Sequence, residues 1–277
     1  MGQEPSLPRQ GTQIKVIGAG LPRTGTTSLA LALAMLLGGP VYDGGTQLWH
    51  GKPGDCTDLI KVLRKTPIKS SADKEFILKT LERIMGGYIA TTDTPGAQFV
   101  PELLELYPDA MVICTVRDPD EWAHSIKQIV RASVTRSFVL SLILLPLPGL
   151  RHFTSYTSAL REGRWGELYI RPGEGTSGAS PLAWYERHIM WLKKVVPTKQ
   201  LVFYDIMDGW EPLCKALDVP VPVGVEFPKL NDAKSADEFA KRRIKRGVLA
   251  WATILGSCVV VAAILLLLLF RWTGFRK

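Results

Sequence analysis

Residues 16–29 read VIGAGLPRTGTTSL, and this stretch decides the fold. A short apolar run enters a turn rich in glycine, and the helix-favouring segment LALALAMLL follows directly. Backbone N–H groups at the start of a helix attract anions, so a strand, a glycine turn and a helix in this order are typical of a loop that binds phosphate. We therefore expect a strand over 14–18, a helix over 26–37 and a phosphate group at the turn.

The rest of the chain alternates between further strand and helix patterns. The predicted strands are a short one ending at Asp43, then Gly87–Asp93, Ala110–Arg117 and Gln200–Tyr204. The predicted helices are 53–85 with breaks at Pro53 and Pro67, Phe99–Leu106, one that opens at Asp118, and Leu182–Val196. Strands that alternate with helices indicate a parallel sheet covered on both faces. The predicted fold class is therefore α/β.

The basic charge of the chain is concentrated near its C-terminus. The formal net charge is +8, but eight of the 34 basic residues and none of the 26 acidic ones follow residue 240. The same region contains Val248–Phe270, 23 residues without a formal charge. Such a helix is about 34 Å long, enough to cross a bilayer. We expect one C-terminal transmembrane helix whose lipid contacts anchor the protein.

These patterns also predict the domain boundaries and the orientation in the membrane. Five basic residues precede the apolar segment and three follow it, which favours a cytosolic body. The expected units are a flexible N-terminus, a phosphate-binding domain, a basic linker, the transmembrane helix and a short basic tail, at residues 1–13, 14–235, 236–247, 248–270 and 271–277. The neutral body gives no reason to expect nucleic acid as a partner.

Two other segments and the cysteines carry weaker information. Phe138–Leu150 is strongly apolar but too short to span a bilayer. It fits a core helix with a turn, a lid over an apolar substrate, or a segment that dips into a membrane surface. Residues 171–180 have the composition of a flexible loop. The four cysteines and four histidines are dispersed, which predicts neither disulfides nor a metal site.

Three kinds of phosphate loop begin in this way. Gly18-Ala19-Gly20 fits the start of a dinucleotide fingerprint with Asp43 as the ribose contact, but Arg23 stands in the place of the third glycine. Gly20 and Gly25 have the spacing of a nucleoside-triphosphate loop, but Thr26 stands in the place of its lysine. In a third kind, Arg23 supplies the cation from inside the turn, and TGTTS supplies N–H groups and hydroxyls without obligatory magnesium.

The third kind resembles the loop of a known family. PRTGTTS is similar to the PKSGTTW-type loop of sulfotransferases that use 3′-phosphoadenylyl sulfate, with arginine for lysine. VICTVRDPDEWAHS resembles their second motif, in which an arginine ends a strand and a serine follows eight residues later. Residues 13–235 resemble the compact fungal and invertebrate sulfotransferase-like proteins, which are often mislabelled as NAD-dependent epimerases or dehydratases. The resemblance implies a P-loop α/β fold, 3′-phosphoadenylyl sulfate as the co-substrate and no metal.

The resemblance also implies which residues form the site. The nucleotide would be bound by the loop and by the arginine and serine of the second motif, namely Arg23, Thr24, Gly25, Thr26, Thr27, Ser28, Arg117 and Ser125. Arg23 would also act in catalysis at the leaving oxygen, where the family carries lysine. In cytosolic sulfotransferases a histidine in a THLP-like turn is the base, and the turn TTDTPG puts Asp93 there.

The base and the reaction have alternatives. Asp93 could instead cap a helix or fix the turn, His50 is a second candidate base, and Asp43 stands where related proteins carry a histidine. The predicted activity is sulfuryl transfer to a hydroxyl of a small apolar metabolite by a membrane-anchored enzyme. The alternatives are a cyclase, dehydratase or other tailoring enzyme of secondary metabolism, an NAD-dependent epimerase or dehydratase, and a membrane scaffold without activity.

Overall fold

A parallel sheet of five strands forms the centre of the protein, in the order β2-β3-β1-β4-β5. The computed structural model describes residues 5–52, 54–134, 137–148, 150–171, 174, 180–230 and 232–274. The strands are β1 Val16–Gly18, β2 Val41–Asp43, β3 Ala90–Thr92, β4 Met111–Val116 and β5 Leu201–Asp205. Each of the five lies where the sequence predicts a strand, and every neighbouring pair is parallel, so the predicted α/β class is confirmed.

Helices connect the strands and cover the sheet. They are α1 Thr26–Leu37, α2 Gly44–His50, α3 Asp55–Arg64, α4 Ser71–Met85, α5 Val100–Leu106, α6 Pro119–Val134, α7 Ser137–Leu144, α8 Phe153–Glu162, α9 Arg164–Tyr169, α10 Pro181–Val195, α11 Trp210–Leu217 and α12 Asp232–Gly274. The bounds of α1 are those predicted. The helical segment predicted over 53–85 is divided into α3 and α4, as its second proline indicates. Ser70 and Ser180 cap α4 and α10 through their hydroxyls.

The sheet is covered by two hydrophobic cores because its side chains alternate between its faces. Val16 of β1 packs with Leu29 and Leu33 of α1 on one face. Ile17, the next residue, packs on the other face with residues of α3, α4 and α10. Both Val16 and Ile17 are fully buried. The apolar strand that opens the sequence pattern is therefore central and covered on both sides.

The strand order creates a crevice at the carboxyl end of the sheet, between β1 and β4. From β1 the chain crosses to β2 on one side, and from β4 it crosses to β5 on the other. Ligands of open α/β sheets bind in the crevice at such a switch point. The glycine turn follows β1 and Arg117 follows β4, so both predicted phosphate-binding segments open onto this crevice.

The C-terminal part of the chain forms one long helix, α12. Its segment Ile244–Leu268 is long and apolar enough to cross a membrane. The most apolar part of this segment is not buried against the rest of the protein. The predicted linker 236–247 lies in this same helix. The apolar stretch Phe138–Leu150 forms α7 and a turn. Leu144 and Leu150 are buried, whereas Phe138, Val139, Leu142 and Leu145 are exposed. Most of the predicted loop 171–180 lies outside the described residues.

Candidate nucleotide-binding and transfer site

The turn between β1 and α1 contains two residues in the left-handed region of backbone conformation. Arg23 and Gly25 both have positive φ, +76° and +94°, which reverses the chain just before the helix. The first intrahelical bond of this end runs from the N–H of Leu29 to the carbonyl of Gly25. The N–H groups of the preceding turn have no intrahelical acceptor, as at any helix start, and they carry the positive end of the helix dipole. This end of α1 therefore suits an anion.

Close contacts explain the glycines of the VIGAG run. A Cβ on Gly18 would lie 2.6 Å from the carbonyl oxygen of Thr91, and one on Gly20 would lie 1.8 Å from the hydroxyl oxygen of Thr115. In a dinucleotide fold the second glycine allows a pyrophosphate to approach. At Gly20 the space is filled by a side chain of β4 instead. The glycines here serve strand packing, which removes the main support for the dinucleotide interpretation.

The hydroxyls of the TGTTS segment have different roles. Thr24 is buried and bonds to the carbonyl of Leu21 and to the hydroxyl of Thr115. Ser28 is buried and accepts a bond from the backbone N–H of Leu230. Thr26 is buried and Thr27 is half-buried. Sequence reasoning treated the hydroxyls alike, but those of Thr24 and Ser28 are used to hold the loop in place. The contribution of Ser28 to a ligand would come from its backbone N–H.

The two predicted motifs meet at the crevice. The Nε of Arg23 donates to the hydroxyl of Ser125 at 3.1 Å, across 102 residues of sequence. The Nη1 of Arg117 donates to the carbonyl of Arg23 at 3.4 Å. Trp122 adds a bond from its Nε1 to the carbonyl of Pro22 at 2.8 Å. Two side chains of α6 and that of Arg117, just before it, thus bond to the phosphate loop, and Arg23, Arg117 and Ser125 lie together.

Arg117 is held by two neighbours that the sequence analysis did not identify. Its Nη2 forms an ion pair with the carboxylate of Glu121 at 2.5 Å, one turn along α6. The hydroxyl of Tyr185 in α10 accepts from the backbone N–H of Arg117 and donates to its carbonyl. The ion pair is half-exposed, so solvent screens it and an entering anion can compete for the guanidinium. The i,i+4 spacing of Arg117 and Glu121 is the signal that could have predicted it.

A buried histidine supports the phosphate loop from behind. The Nε2 of His188 in α10 lies 2.7 Å from the carbonyl of Ala19, and its Nδ1 lies 2.8 Å from the hydroxyl of Tyr169. Because a carbonyl only accepts, Nε2 carries the proton and Nδ1 accepts from the tyrosine. Burial lowers the pKa of His188 to about 4. The ring is therefore neutral at physiological pH and fixes the first residue of the loop.

Asp93 follows β3, the strand next to β1, at the same edge of the sheet. It is half-buried and has a φ of +66°. One carboxylate oxygen accepts from the N–H of Thr94 at 2.7 Å. The other faces Gly45, at 3.0 Å from where a Cβ of that glycine would stand. The first glycines of α2 thus allow the turn that carries Asp93 to pack closely against the helix start.

Asp43 is a second carboxylate in this part of the site. It ends β2, is buried, and accepts bonds from the hydroxyls of Thr46 and Thr92. Two tyrosine hydroxyls are buried nearby, those of Tyr42 and Tyr156. Burial and neighbouring acidic groups raise both pKa values well above the ordinary value, with Asp93 contributing to the shift of Tyr156. The buried hydroxyl of Tyr156 thus lies close enough to Asp93 to be affected by its charge.

His50 is placed differently from the other candidates. It ends α2 and is exposed. A helix of seven residues extends about 10 Å from the carboxyl edge where Asp43 lies. Among the described residues, no group of three or more His, Cys, Asp or Glu side chains could hold a metal ion.

The sheet, its switch point and the loop at the start of α1 define a P-loop protein of the α/β class. The chain belongs to the family named sulfotransferase domain, whose model matches residues 15–236. It is also similar to Ava biosynthesis cluster protein M of Aspergillus versicolor, with 29% identity over 221 residues. That match covers 78% of this chain and 80% of the relative. The family resemblance predicted from the two motifs is thereby confirmed.

Proposed function

We propose that the protein transfers a sulfuryl group from 3′-phosphoadenylyl sulfate to a hydroxyl of a small apolar metabolite. The observation that carries the proposal is the bond between Arg23 and Ser125, with Arg117 on the same loop. Two guanidinium groups and one helix N-terminus converge at one crevice. A nucleotide with a phosphosulfate at one end and a 3′-phosphate at the other has the anions that this arrangement would bind.

Each group has a separate task in this proposal. Arg23 and the N–H groups before α1 bind the 5′-phosphosulfate and stabilise the charge that develops on the leaving phosphate. Arg117 turns from Glu121 to the 3′-phosphate, which Ser125 also contacts. Guanidinium binds phosphate through two parallel bonds, and this gives orientation as well as affinity. His188 and Tyr185 position the loop and Arg117 from α10, and do not touch the ligand.

Asp93 is the proposed base. The acceptor oxygen forms a bond to sulfur while the bond between sulfur and the 5′-phosphate oxygen breaks. The phosphate leaves with the electron pair, and the acceptor proton passes to the Asp93 carboxylate. Support comes from the position of Asp93 beside the loop, at the carboxyl end of β3, and from the buried hydroxyls around it. A carboxylate in a poorly solvated pocket is a stronger base than one in water. Asp43 would hold the adjacent wall through Thr46 and Thr92.

The relative's name favours a second candidate function. Ava biosynthesis cluster protein M is named as part of a biosynthesis cluster. This chain could likewise act as a tailoring enzyme of secondary metabolism in which the nucleotide site is kept and the chemistry differs. The two candidates share a fold and differ in whether sulfuryl transfer occurs.

Two measurements on the full chain in detergent micelles test the proposal. Calorimetry compares adenosine 3′,5′-bisphosphate, NAD and ATP as ligands, and we expect binding of the bisphosphate alone. Single-turnover transfer of labelled sulfate from 3′-phosphoadenylyl sulfate is then measured with phenols and alcohols as acceptors. Bisphosphate binding without transfer to any acceptor would favour the tailoring candidate. Binding of NAD in preference to the bisphosphate would overturn both.

A further inference from the structure

Helix α7 carries apolar side chains on the surface of the protein. In α7, Phe138 is 80% exposed and Val139 and Leu142 are each at least half-exposed, as is Leu145, which directly follows the helix. Adjacent exposed apolar residues of this size mark a surface that contacts a partner or a membrane. The helix has only eight residues and cannot cross a bilayer. Whatever covers these side chains must therefore contact the helix along its length, on its exposed face.

The other side of α7 packs against the beginning of the apolar segment of α12. The Nε1 of Trp251 donates to the carbonyl of Leu142 at 2.8 Å. A Cβ on Gly247 would lie 2.4 Å from the carbonyl oxygen of Ile143, so the two backbones come together at that glycine. Gly247 is buried, whereas the residues around it in α12 are largely exposed. Close approach through a glycine is the usual way in which helices pack at membrane depth.

This packing fixes the depth of α7 relative to the candidate span. The span begins at Ile244, so the contacts at Gly247 and Trp251 lie about 5 and about 10 Å along the helix from its start. Helices that lie in a membrane surface bury their apolar side to a depth of about 5–10 Å. We infer that α7 lies in the bilayer interface beside α12, with Phe138, Val139, Leu142 and Leu145 in contact with lipid. The inference rests on the prediction, made from the sequence, that α12 crosses a membrane.

The charges around α7 agree with a lipid surface as the partner. Lys245 and Arg246 are exposed at the start of the span, and Arg151 is exposed in the turn that follows α7. Basic side chains at this level attract anionic headgroups. A lid over the acceptor would instead need the exposed side of α7 to face the site. Among the described residues, α8 connects α7 to the site, through the bond from Ser141 to Thr154 and through Tyr156 near Asp93.

The proposed surface brings the membrane within one helix of the acceptor side of the site. Helix α8 packs against α7 and also carries Tyr156, which lies near Asp93. An acceptor that partitions into the bilayer would then be concentrated next to the enzyme. Membrane contact at two places, α12 and α7, would also hold the body in one orientation on the surface.

Depth-dependent quenching on the full chain in vesicles of phosphatidylcholine and phosphatidylserine tests the inference. Cys258→Ser removes the exposed cysteine, and the other three, Cys56, Cys114 and Cys214, are buried. An environment-sensitive fluorophore is then attached at Phe138→Cys, at Val260→Cys in the span, or at Lys79→Cys on exposed α4. Lipids with a nitroxide near the headgroup or near the chain end serve as quenchers.

We expect a blue-shifted emission and headgroup-level quenching at position 138, deep quenching at 260 and neither at 79. If 260 is quenched and 138 behaves like 79, the inference is wrong and the anchor stands. If 260 is also unquenched, α12 does not cross the bilayer, and both the predicted anchor and the inference about α7 fail. Energy transfer between labels at position 138 of different copies, without lipid quenching, would assign the surface to a second copy and overturn the inference.

Discussion

Arg117 shows how a single side chain can hold the site ready before a ligand arrives. Its guanidinium contacts the phosphate loop through the carbonyl of Arg23 and is neutralised by Glu121. The sequence predicted Arg117 and its distance from Ser125, because a strand end and a helix turn fix both. It did not identify the acidic partner of Arg117, which is Glu121 one helical turn away and not the adjacent Asp118. Asp118 instead caps the N–H of Glu121.

Removing the charge of Glu121 should therefore tighten nucleotide binding. We expect Glu121→Gln to increase the affinity for adenosine 3′,5′-bisphosphate by about 2- to 5-fold, because the 3′-phosphate no longer competes with a carboxylate. The gain should diminish at high salt. Calorimetry measures it, with Asp120→Asn as a control that removes the same charge from the same helical turn. Equal gains in both variants would assign the effect to net charge alone.

Asp93→Asn tests the proposed base without disturbing the turn. Asparagine tolerates the positive φ of this position and its side-chain oxygen can still accept from the N–H of Thr94. We expect bisphosphate affinity to persist and single-turnover sulfuryl transfer to fall by ~10²–10⁴. Asp43→Asn is the comparison, because in the proposal Asp43 holds Thr46 and Thr92 and does not take the acceptor proton. Unchanged transfer in Asp93→Asn would move the role of base to another group such as His50.

His188 predicts how the stability of the protein depends on pH. Its pKa of about 4 in the folded chain lies below the unfolded value near 6.5, so between these values only the unfolded chain takes up the proton. The free energy of unfolding should fall as the pH falls through this window, by up to about 3 kcal/mol. In His188→Gln the glutamine amide can still donate to Ala19, and this part of the pH dependence should disappear.

Denaturant unfolding of the full chain in micelles at pH 7, 6, 5 and 4 provides the measurement. His124→Gln is the control, because it makes the same substitution at a histidine that is exposed on α6. A His188→Gln variant with the wild-type pH dependence would show that other groups cause it.

At the scale of elements, the periodic segments were predicted well and the short helices were not. Helix α1 and the five strands form where their own side-chain pattern directs them, since apolar runs and glycine turns are local signals. Helix α2 begins with Gly44 and Gly45, which the sequence suggested as the boundary of a strand. Gly44 is needed because a Cβ there would lie 2.0 Å from the carbonyl oxygen of Thr94. That contact is tertiary and leaves no local pattern. His188 and Tyr185 were missed for the same reason, because they act on the site from α10.

Gly20 provides a prediction about the packing of β1 and α1 against β4. Gly20→Ala should destabilise the protein by about 1–3 kcal/mol, because its methyl group would meet the hydroxyl of Thr115. The double variant Gly20→Ala/Thr115→Ala should recover part of this loss. Gly54→Ala is the control, since a Cβ at Gly54 meets no atom within 4 Å. Thermal unfolding of the four proteins decides the point, and no recovery in the double variant would place the strain elsewhere.

At the scale of the whole molecule, the structure separates a folded body from a helix that leaves it. Among the described residues, no member of α12 belongs to the hydrophobic cores that cover the sheet. The bond of Trp251 to Leu142 and the approach of Gly247 to Ile143 join α12 to α7. The sequence predicted the apolar helix from its length and charge alone. It could not assign Phe138–Leu150, because a short apolar segment looks the same whether it faces a core or a lipid surface.

Truncation after Ala240 should therefore yield a body that folds but still binds membranes weakly. The cores remain complete, so cooperative thermal unfolding should persist. Helix α7 keeps its exposed apolar residues and loses the contacts from Gly247 and Trp251, so the body should sediment in part with vesicles that contain anionic lipid. Because eight residues bury little area, high dilution should release it, whereas the full chain should stay bound.

Phe138→Asp in the truncated protein should abolish sedimentation, because a charge opposes insertion. Lys79→Asp on α4 is the control for the added negative charge. A truncated body that fails to unfold cooperatively would make α12 part of the folded domain, and one that Phe138→Asp leaves bound would place its lipid contact away from α7.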